Sequence, residues 1–162
     1  MISRLETKEA EVVCQDVRMA IVLDDVLESL KPLAAFHEVL VHAECKPLCI
    51  YANARQMTEL LGNLLSNAIK YNKPGGEVWV TITEENREMI IRVRDNGMGI
   101  PKESLGRIFE RFYRVDKGRS RKQGGTGLGL SIVKHIVSFY HGTIAVQSEL
   151  EAGTEFTVKI PI

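Results

Sequence analysis

The sequence predicts an α+β fold, a two-layer α/β sandwich with one mixed, largely antiparallel sheet and its helices on one face. Three observations lead there. Strand-like and helix-like stretches alternate irregularly, with hairpins instead of a repeated strand–helix–strand unit. The best-patterned helix carries one apolar stripe. A length of 162 residues allows one sizeable core and is too short for two comfortable ones.

Taken in order, residues 1–10 read as a helical tail in which Ile2 and Leu5 could join an apolar seam, too short to be stable alone. A strand is predicted at about 11–18. A helix at about 20–36 follows, with Ile21, Val22, Val26, Leu27, Leu30 and Leu33 at helical spacing. Pro32 should bend or split it, because proline lacks an amide hydrogen and crowds the preceding turn. Two short strands come near 38–43 and 47–51. The helix at about 54–71 has Asn53 as its N-cap and Met57, Leu60, Leu61, Leu64, Leu65 and Ala68 as its stripe. Beyond the turn Lys73-Pro74-Gly75-Gly76, strands at 77–84 and 88–95 form a hairpin through Glu85, Asn86 and Arg87. Residues 97–127 are rich in glycine and basic residues and hold only short helical patches. A loop of that length in a compact domain is a functional lid or disordered. A helix at about 128–140 and strands near 143–149 and 154–160 complete the chain.

Composition narrows the function. Lys plus Arg and Asp plus Glu balance at 21 each, so there is no basic excess of the kind a general nucleic-acid binder needs. No apolar run approaches membrane-spanning length, and the first residues lack the apolar core of a signal peptide. Cys14, Cys45 and Cys49 are odd in number and are expected to be buried thiols. Cys45-x3-Cys49 keeps a zinc site open only if two more ligands join, with His37 and His42 nearest in sequence.

Four stretches carry candidate chemistry. On the long helix, Asn63, Asn67, Lys70 and Tyr71 fall within one arc turned away from the leucines. Carboxamides one turn apart and an ammonium suit a magnesium-bound polyphosphate, while a merely solvated polar face is the plainer alternative. In Asp95-Asn96-Gly97-Met98-Gly99, strand alternation turns Asp95 toward the buried side, where a carboxylate needs a donor such as the amine of adenine. Gly97 and Gly99 would let the backbone turn and approach a flat ring, although an ordinary Asp-Asn-Gly turn would look the same. Gly124-Gly125-Thr126-Gly127-Leu128-Gly129-Leu130 opens a helix, so its amides make an anion site that is neither a Walker loop nor a Rossmann turn. In Gly153-Thr154-Glu155-Phe156, Thr154 could offer its hydroxyl to a ring nitrogen or simply fill a strand.

Together these stretches resemble the signature boxes of the histidine kinase catalytic domain, within the superfamily that includes gyrase, Hsp90 and MutL. Asn63 to Tyr71 resembles the N box, and Asp95 to Gly99 the first glycine box. Ile108 to Asp116 resembles the F box. Gly125 to Leu130 is similar to the second glycine box and Gly153 to Phe156 to the last. Order and spacing agree over 11–162.

The resemblance implies a Bergerat-type ATP-binding sandwich with a mobile lid at about 101–123, acting as a protein-histidine kinase. It implies that Asn67 coordinates Mg²⁺, supported by Asn63, that Lys70 contacts phosphate and that Tyr71 lies along the nucleotide. Asp95 would bind the adenine amine, with Gly97, Gly99, Ile100 and Thr154 around the base. Gly125, Thr126, Gly127, Leu128 and Gly129 would bring amides to the phosphates. Arg114 would reach the γ-phosphate, and Phe109 and Phe112 would anchor the lid. Residues 1–10 resemble the end of the dimerisation and phosphoacceptor hairpin, so 11–162 would be the catalytic domain of a longer sensor.

None of His37, His42, His135 or His141 stands in the acceptor context. The expected partners are the protein's own phosphoacceptor domain and a response regulator. The piece is expected to be monomeric and cytoplasmic, and its parent a homodimer anchored in the plasma membrane, closest to phosphate-sensor-like kinases. Competing readings are a nucleotide-binding regulatory module without transfer, and an ATPase or serine kinase of the same superfamily.

Overall fold

The structure, a computed structural model, describes residues 12–114 and 128–162. The predicted tail at 1–10 and the stretch 115–127 lie outside the described residues. In chain order the elements are β1 (Gln15–Arg18), α1 (Met19–His37), β2 (Leu40–Cys45), β3 (Cys49–Ala52), α2 (Ala54–Lys70), β4 (Glu77–Glu85) and β5 (Glu88–Asp95). A 3-10 turn at Lys102–Ser104, α3 (Gly129–Phe139), β6 (Thr143–Glu149) and β7 (Gly153–Pro161) follow.

Five strands form the main sheet in the order β2-β4-β5-β7-β6. Only β2 and β4 run parallel; the other pairs are antiparallel. The predicted α/β sandwich is therefore the observed one, with one addition. β1 and β3 leave the main sheet and pair with each other.

Local chemistry explains the elements. Asn86 and Arg87 both adopt positive φ, 52° and 60°, and Glu85 pairs with Glu88 across them. Two left-handed residues make the tight turn whose twist matches the paired strands, so the connection is shorter than the three residues predicted. The N-cap of α2 is Asn53, whose side chain accepts the Gln56 amide at 3.0 Å. The Tyr140 hydroxyl accepts the Asn53 amide at 2.9 Å and also bonds the Gln56 side chain, so the end of α3 holds the start of α2.

All six predicted stripe residues of α2 are buried, joined by Ile69. They cover a sheet face on which strand register aligns Ile82, Ile91 and Val158, then Val80, Val93 and Phe156. The next row is Val78, Asp95 and Thr154. Continuing the core face by one register step thus brings a carboxylate and a hydroxyl to the end of the sheet. α1 packs against α2, α2 against β4 and β5, and α3 against α2, β6 and β7.

Three expectations need correction. Pro32 does not split α1, which is one continuous helix. The carbonyl that proline leaves without its usual partner belongs to Glu28, which is exposed like Pro32 itself, so water can satisfy it. Ile21 is 52% exposed, and Leu23 takes its expected place in the core. The cysteines are not buried thiols: Cys49 is exposed and Cys14 and Cys45 are half-buried. Among the described residues no helix is long and apolar enough to cross a membrane.

The burial contrast gives a direct stability test. Leu61→Ala should lower the unfolding free energy by about 2–5 kcal/mol, because it empties a fully buried site. Ile21→Ala should cost no more than about 1 kcal/mol. Urea denaturation of the two variants checks both; similar losses would place Ile21 in the core.

Candidate functional site

The end of β5 sets the site. Asp95 is half-buried on the core-facing side, and among the described residues no neighbouring cation balances it. Its Oδ1 accepts the Gly97 amide at 2.9 Å, and the Thr154 amide also donates to its carboxylate. Burial nevertheless dominates and pushes its pKa from 3.8 up to about 6, against the pull of the two amides. The sequence-based expectation that Asp95 faces inward and depends on donated hydrogen bonds holds.

Beside it Thr154 is buried, with its hydroxyl 2.8 Å from that of Ser148 on β6. Ser148 also accepts the Ile100 amide at 2.7 Å and lies 3.0 Å from the Gly153 carbonyl. Sequence reasoning missed Ser148. The signal was present: Ile144, Val146 and Ser148 alternate inward along β6, so the serine sits where a third apolar residue belongs.

Glycine is needed here for contacts within the protein itself. At Gly153, with φ 124°, a Cβ would stand 1.9 Å from the Asp95 carbonyl oxygen. At Gly99, with φ 74°, it would stand 2.1 Å from the Glu149 oxygen. At Gly97 the obstacle is the Tyr71 carbonyl, 2.6 Å away. The immediate neighbour in each case is backbone, where the sequence suggested a flat ring.

The loop after β5 is stitched to the end of α2. The Met98 amide donates to the Tyr71 carbonyl at 3.2 Å, and Asn96 Oδ1 accepts the Glu77 amide at 2.7 Å. Asn72, another residue the sequence did not single out, is buried. It donates to the Glu77 carbonyl at 3.0 Å and accepts the Lys73 amide at 2.8 Å.

The polar arc of α2 stands as predicted, with Asn63, Asn67, Lys70 and Tyr71 all half-buried beside the fully buried stripe. Asn63 donates its side-chain nitrogen to the Glu59 carbonyl at 2.8 Å. Its oxygen lies 3.1 Å from where a Cβ on Gly129 would be, so the first residue of α3 abuts it. Leu128 precedes that helix. Gly125, Thr126 and Gly127 lie outside the described residues, as does the later part of the predicted lid.

The described part of that lid folds back on the body. Ile108 is buried, and the Phe109 ring meets Phe156 edge-on with centroids 6.2 Å apart. The Tyr113 hydroxyl donates to Ser104 at 2.9 Å. Phe112 does not act as the second anchor: it is 65% exposed with φ 65°. Its left-handed backbone turns the ring outward, beside the Arg111 guanidinium. Arg114 is half-buried.

Two chemistries therefore meet across one helix. A carboxylate and a hydroxyl at the sheet end can read a heteroaromatic base, and carboxamides, an ammonium and a helix start can face an anion. Among the described residues no cluster of three His, Cys, Asp or Glu side chains could hold a metal by itself.

Comparison with known proteins identifies the family. The family described as histidine kinase-, DNA gyrase B- and HSP90-like ATPase matches residues 52–162. The sensor histidine kinase RppB of Synechocystis is 39% identical over the whole chain, which spans 36% of that relative's length. The solved mycobacterial sensor histidine kinase MprB superposes with a TM-score of 0.80 at 27% identity, covering 92% of this chain and 97% of that one. Full-length ShkA in complex with AMPPNP superposes at 0.79 and 28% identity, over 93% of this chain and 31% of that one.

The raised Asp95 pKa has a signed consequence for stability. The folded state takes up this proton near pH 6 and the unfolded chain near 3.8. Folding is thus favoured by this group at pH below about 4, and the contribution is lost as pH rises to about 6. The full shift corresponds to about 3 kcal/mol as an upper bound. Urea denaturation of wild type and Asp95→Asn between pH 4 and 7.5 should give a difference that changes across this window and is flat above it. Parallel pH profiles would mean that Asp95 titrates normally.

Proposed function

Because the chain belongs to the histidine kinase-, DNA gyrase B- and HSP90-like ATPases and is the catalytic domain of a sensor histidine kinase, we propose that it binds Mg·ATP and delivers the γ-phosphoryl group to a histidine elsewhere in a longer protein. The observation that carries this reading is the pairing of Asp95 with Thr154 at the inward end of the sheet, beside the polar arc of α2. A purine amine would add a further donor to the two amides this carboxylate already accepts. The AMPPNP bound by the similar ShkA supports an adenine nucleotide as the ligand.

In this reading Asp95 accepts from adenine N6, while Gly97, Gly99, Ile100 and Thr154 surround the base and Tyr71 lies along the nucleotide. Lys70 meets a phosphate oxygen as a point charge. Gly125, Thr126, Gly127, Leu128 and Gly129 present backbone amides to the phosphates at the start of α3. Asn67 would hold Mg²⁺ through its carboxamide oxygen, with Asn63 supporting it. A hard, neutral oxygen donor fits this ion, and the Asn63 nitrogen is already committed to Glu59, which leaves its oxygen for the site side. Bound Mg²⁺ would neutralise phosphate charge.

Phosphoryl transfer asks the protein for positioning and charge stabilisation more than for covalent chemistry. A histidine ring nitrogen attacks the γ-phosphorus, the bond to the β,γ-bridging oxygen breaks, and ADP leaves. Arg114 meets the charge that builds on the transferring group. Residues 1–10 would be the end of a dimerisation helix and 11–162 the catalytic domain. A homodimeric parent anchored in the plasma membrane and a response regulator complete the proposal.

Asp95→Asn should weaken Mg·ATP binding by about 1.5–3 kcal/mol, about ten- to 150-fold in affinity. Wild-type affinity should also fall as pH drops through about 6, where the acceptor becomes protonated. Isothermal titration with ATP and GTP checks this, and equal affinity for the two nucleotides rules out the role given to Asp95.

Chemistry separates from binding at Arg114. With a separately supplied phosphoacceptor hairpin, Arg114→Ala should slow radiolabel transfer at least tenfold while ATP affinity stays within about twofold. Lys70→Ala should weaken both. Wild-type transfer by Arg114→Ala would reassign charge stabilisation to another cation.

A further inference from the structure

We propose that Ser148 is a positioning residue for nucleotide recognition, setting whether the Thr154 hydroxyl donates or accepts; the proposal rests on the nucleotide reading above. Ser148 stands directly across from Thr154 in the β6–β7 register, and its hydroxyl touches three polar atoms. The Ile100 amide donates to it at 2.7 Å, the Gly153 carbonyl lies at 3.0 Å and the Thr154 hydroxyl at 2.8 Å.

A hydroxyl has one hydrogen and two acceptor positions. The Ile100 amide occupies one acceptor position. The single hydrogen can go to the Gly153 carbonyl or to Thr154, not to both at full strength. In the first arrangement Thr154 donates to Ser148 and the cluster is satisfied without a ligand. In the second Ser148 donates to Thr154, and the Thr154 hydrogen is released toward the space beside Asp95.

The two arrangements differ only by rotation of two hydroxyl hydrogens, so neither strand has to move. An adenine whose amine is held by Asp95 carries an acceptor nitrogen on either side of that amine, N1 and N7. Thr154 in the second arrangement donates to one of these, directly or through one water. Ser148 therefore does two jobs: it pins the loop at Ile100 and orients the threonine. A purely structural serine would do only the first.

The test is a ligand-by-mutant comparison on the 162-residue chain. Affinities for Mg²⁺ complexes of ATP, 1-deaza-ATP and 7-deaza-ATP are measured for wild type, Ser148→Ala and Ser148→Thr. Wild type should lose about three- to tenfold for the analogue lacking the engaged nitrogen. Ser148→Ala should bind ATP weaker by a similar factor and distinguish ATP from that analogue less than wild type does, because its Thr154 hydroxyl is no longer held in the donating orientation. Ser148→Thr, which keeps the hydroxyl, should restore the distinction.

If Ser148→Ala weakens ATP and both analogues equally, the serine only supports the loop and the proposal is overturned. It is likewise overturned if wild type distinguishes none of the three. Should Ser148→Ala fail to fold, Ser148→Cys, close in size and a weak hydrogen-bonder, makes the same comparison. A wild type that does not bind Mg·ATP at all would overturn the nucleotide reading itself, a different failure from lost discrimination.

Discussion

Where β5 ends, three stretches of backbone approach more closely than any side chain would allow. Gly153 lies over the Asp95 carbonyl, Gly99 over that of Glu149, and Gly97 over that of Tyr71. These contacts join the C-terminal end of α2, the loop after β5 and the turn between β6 and β7. Asp95, Thr154 and the loop that follows β5 hang from that junction. Asp95 receives the Gly97 and Thr154 amides only because the chains are this close. Ser148 reaches Ile100 for the same reason. A Cβ at any of the three positions would push these donors out of hydrogen-bonding range.

The junction also carries an electrostatic cost at Asp95. Two backbone amides lower the Asp95 pKa, yet burial raises it further than they can offset. A carboxylate in that state is poised to take a strong donor. Its place in the sheet keeps the cost local, since Ile91 and Val93 on the same strand face are packed and apolar. The last residue of the strand alone exchanges packing for chemistry. Thr154 does the same opposite it on β7, one step beyond Phe156.

α2 links this base-reading end to the anion-facing end. Its buried stripe fixes the rotation of the helix, and that rotation fixes where Asn63, Asn67, Lys70 and Tyr71 stand. Tyr71 then touches the β5 loop through its carbonyl, while Asn63 meets the start of α3. One amphipathic helix thus sets the distance between the two chemistries. Its own ends are held by Asn53 and Tyr140 at the start and by the Met98 amide just beyond the finish.

Periodicity determined a great deal here. The stripe of α2, the alternation at the end of β5, the inward turn of Asp95 and the N-cap at Asn53 are local properties of the chain. All were legible without a structure. Tertiary structure decided what depends on neighbours distant in sequence. Ile21 falls on the helical pattern but is exposed, because which residues of α1 meet α2 depends on how the two helices cross. Phe112 looks like Phe109 in sequence, and only its left-handed backbone turns it outward. Pro32 is tolerated because its side of α1 faces water. Ser148, Asn72 and Asn96 are unremarkable as residues and acquire roles only when β6, the α2 end and the β5 loop are brought together. Spacing encodes which face a side chain takes along one element, whereas hydrogen-bond partners 5 to 48 residues away are set by how the elements pack.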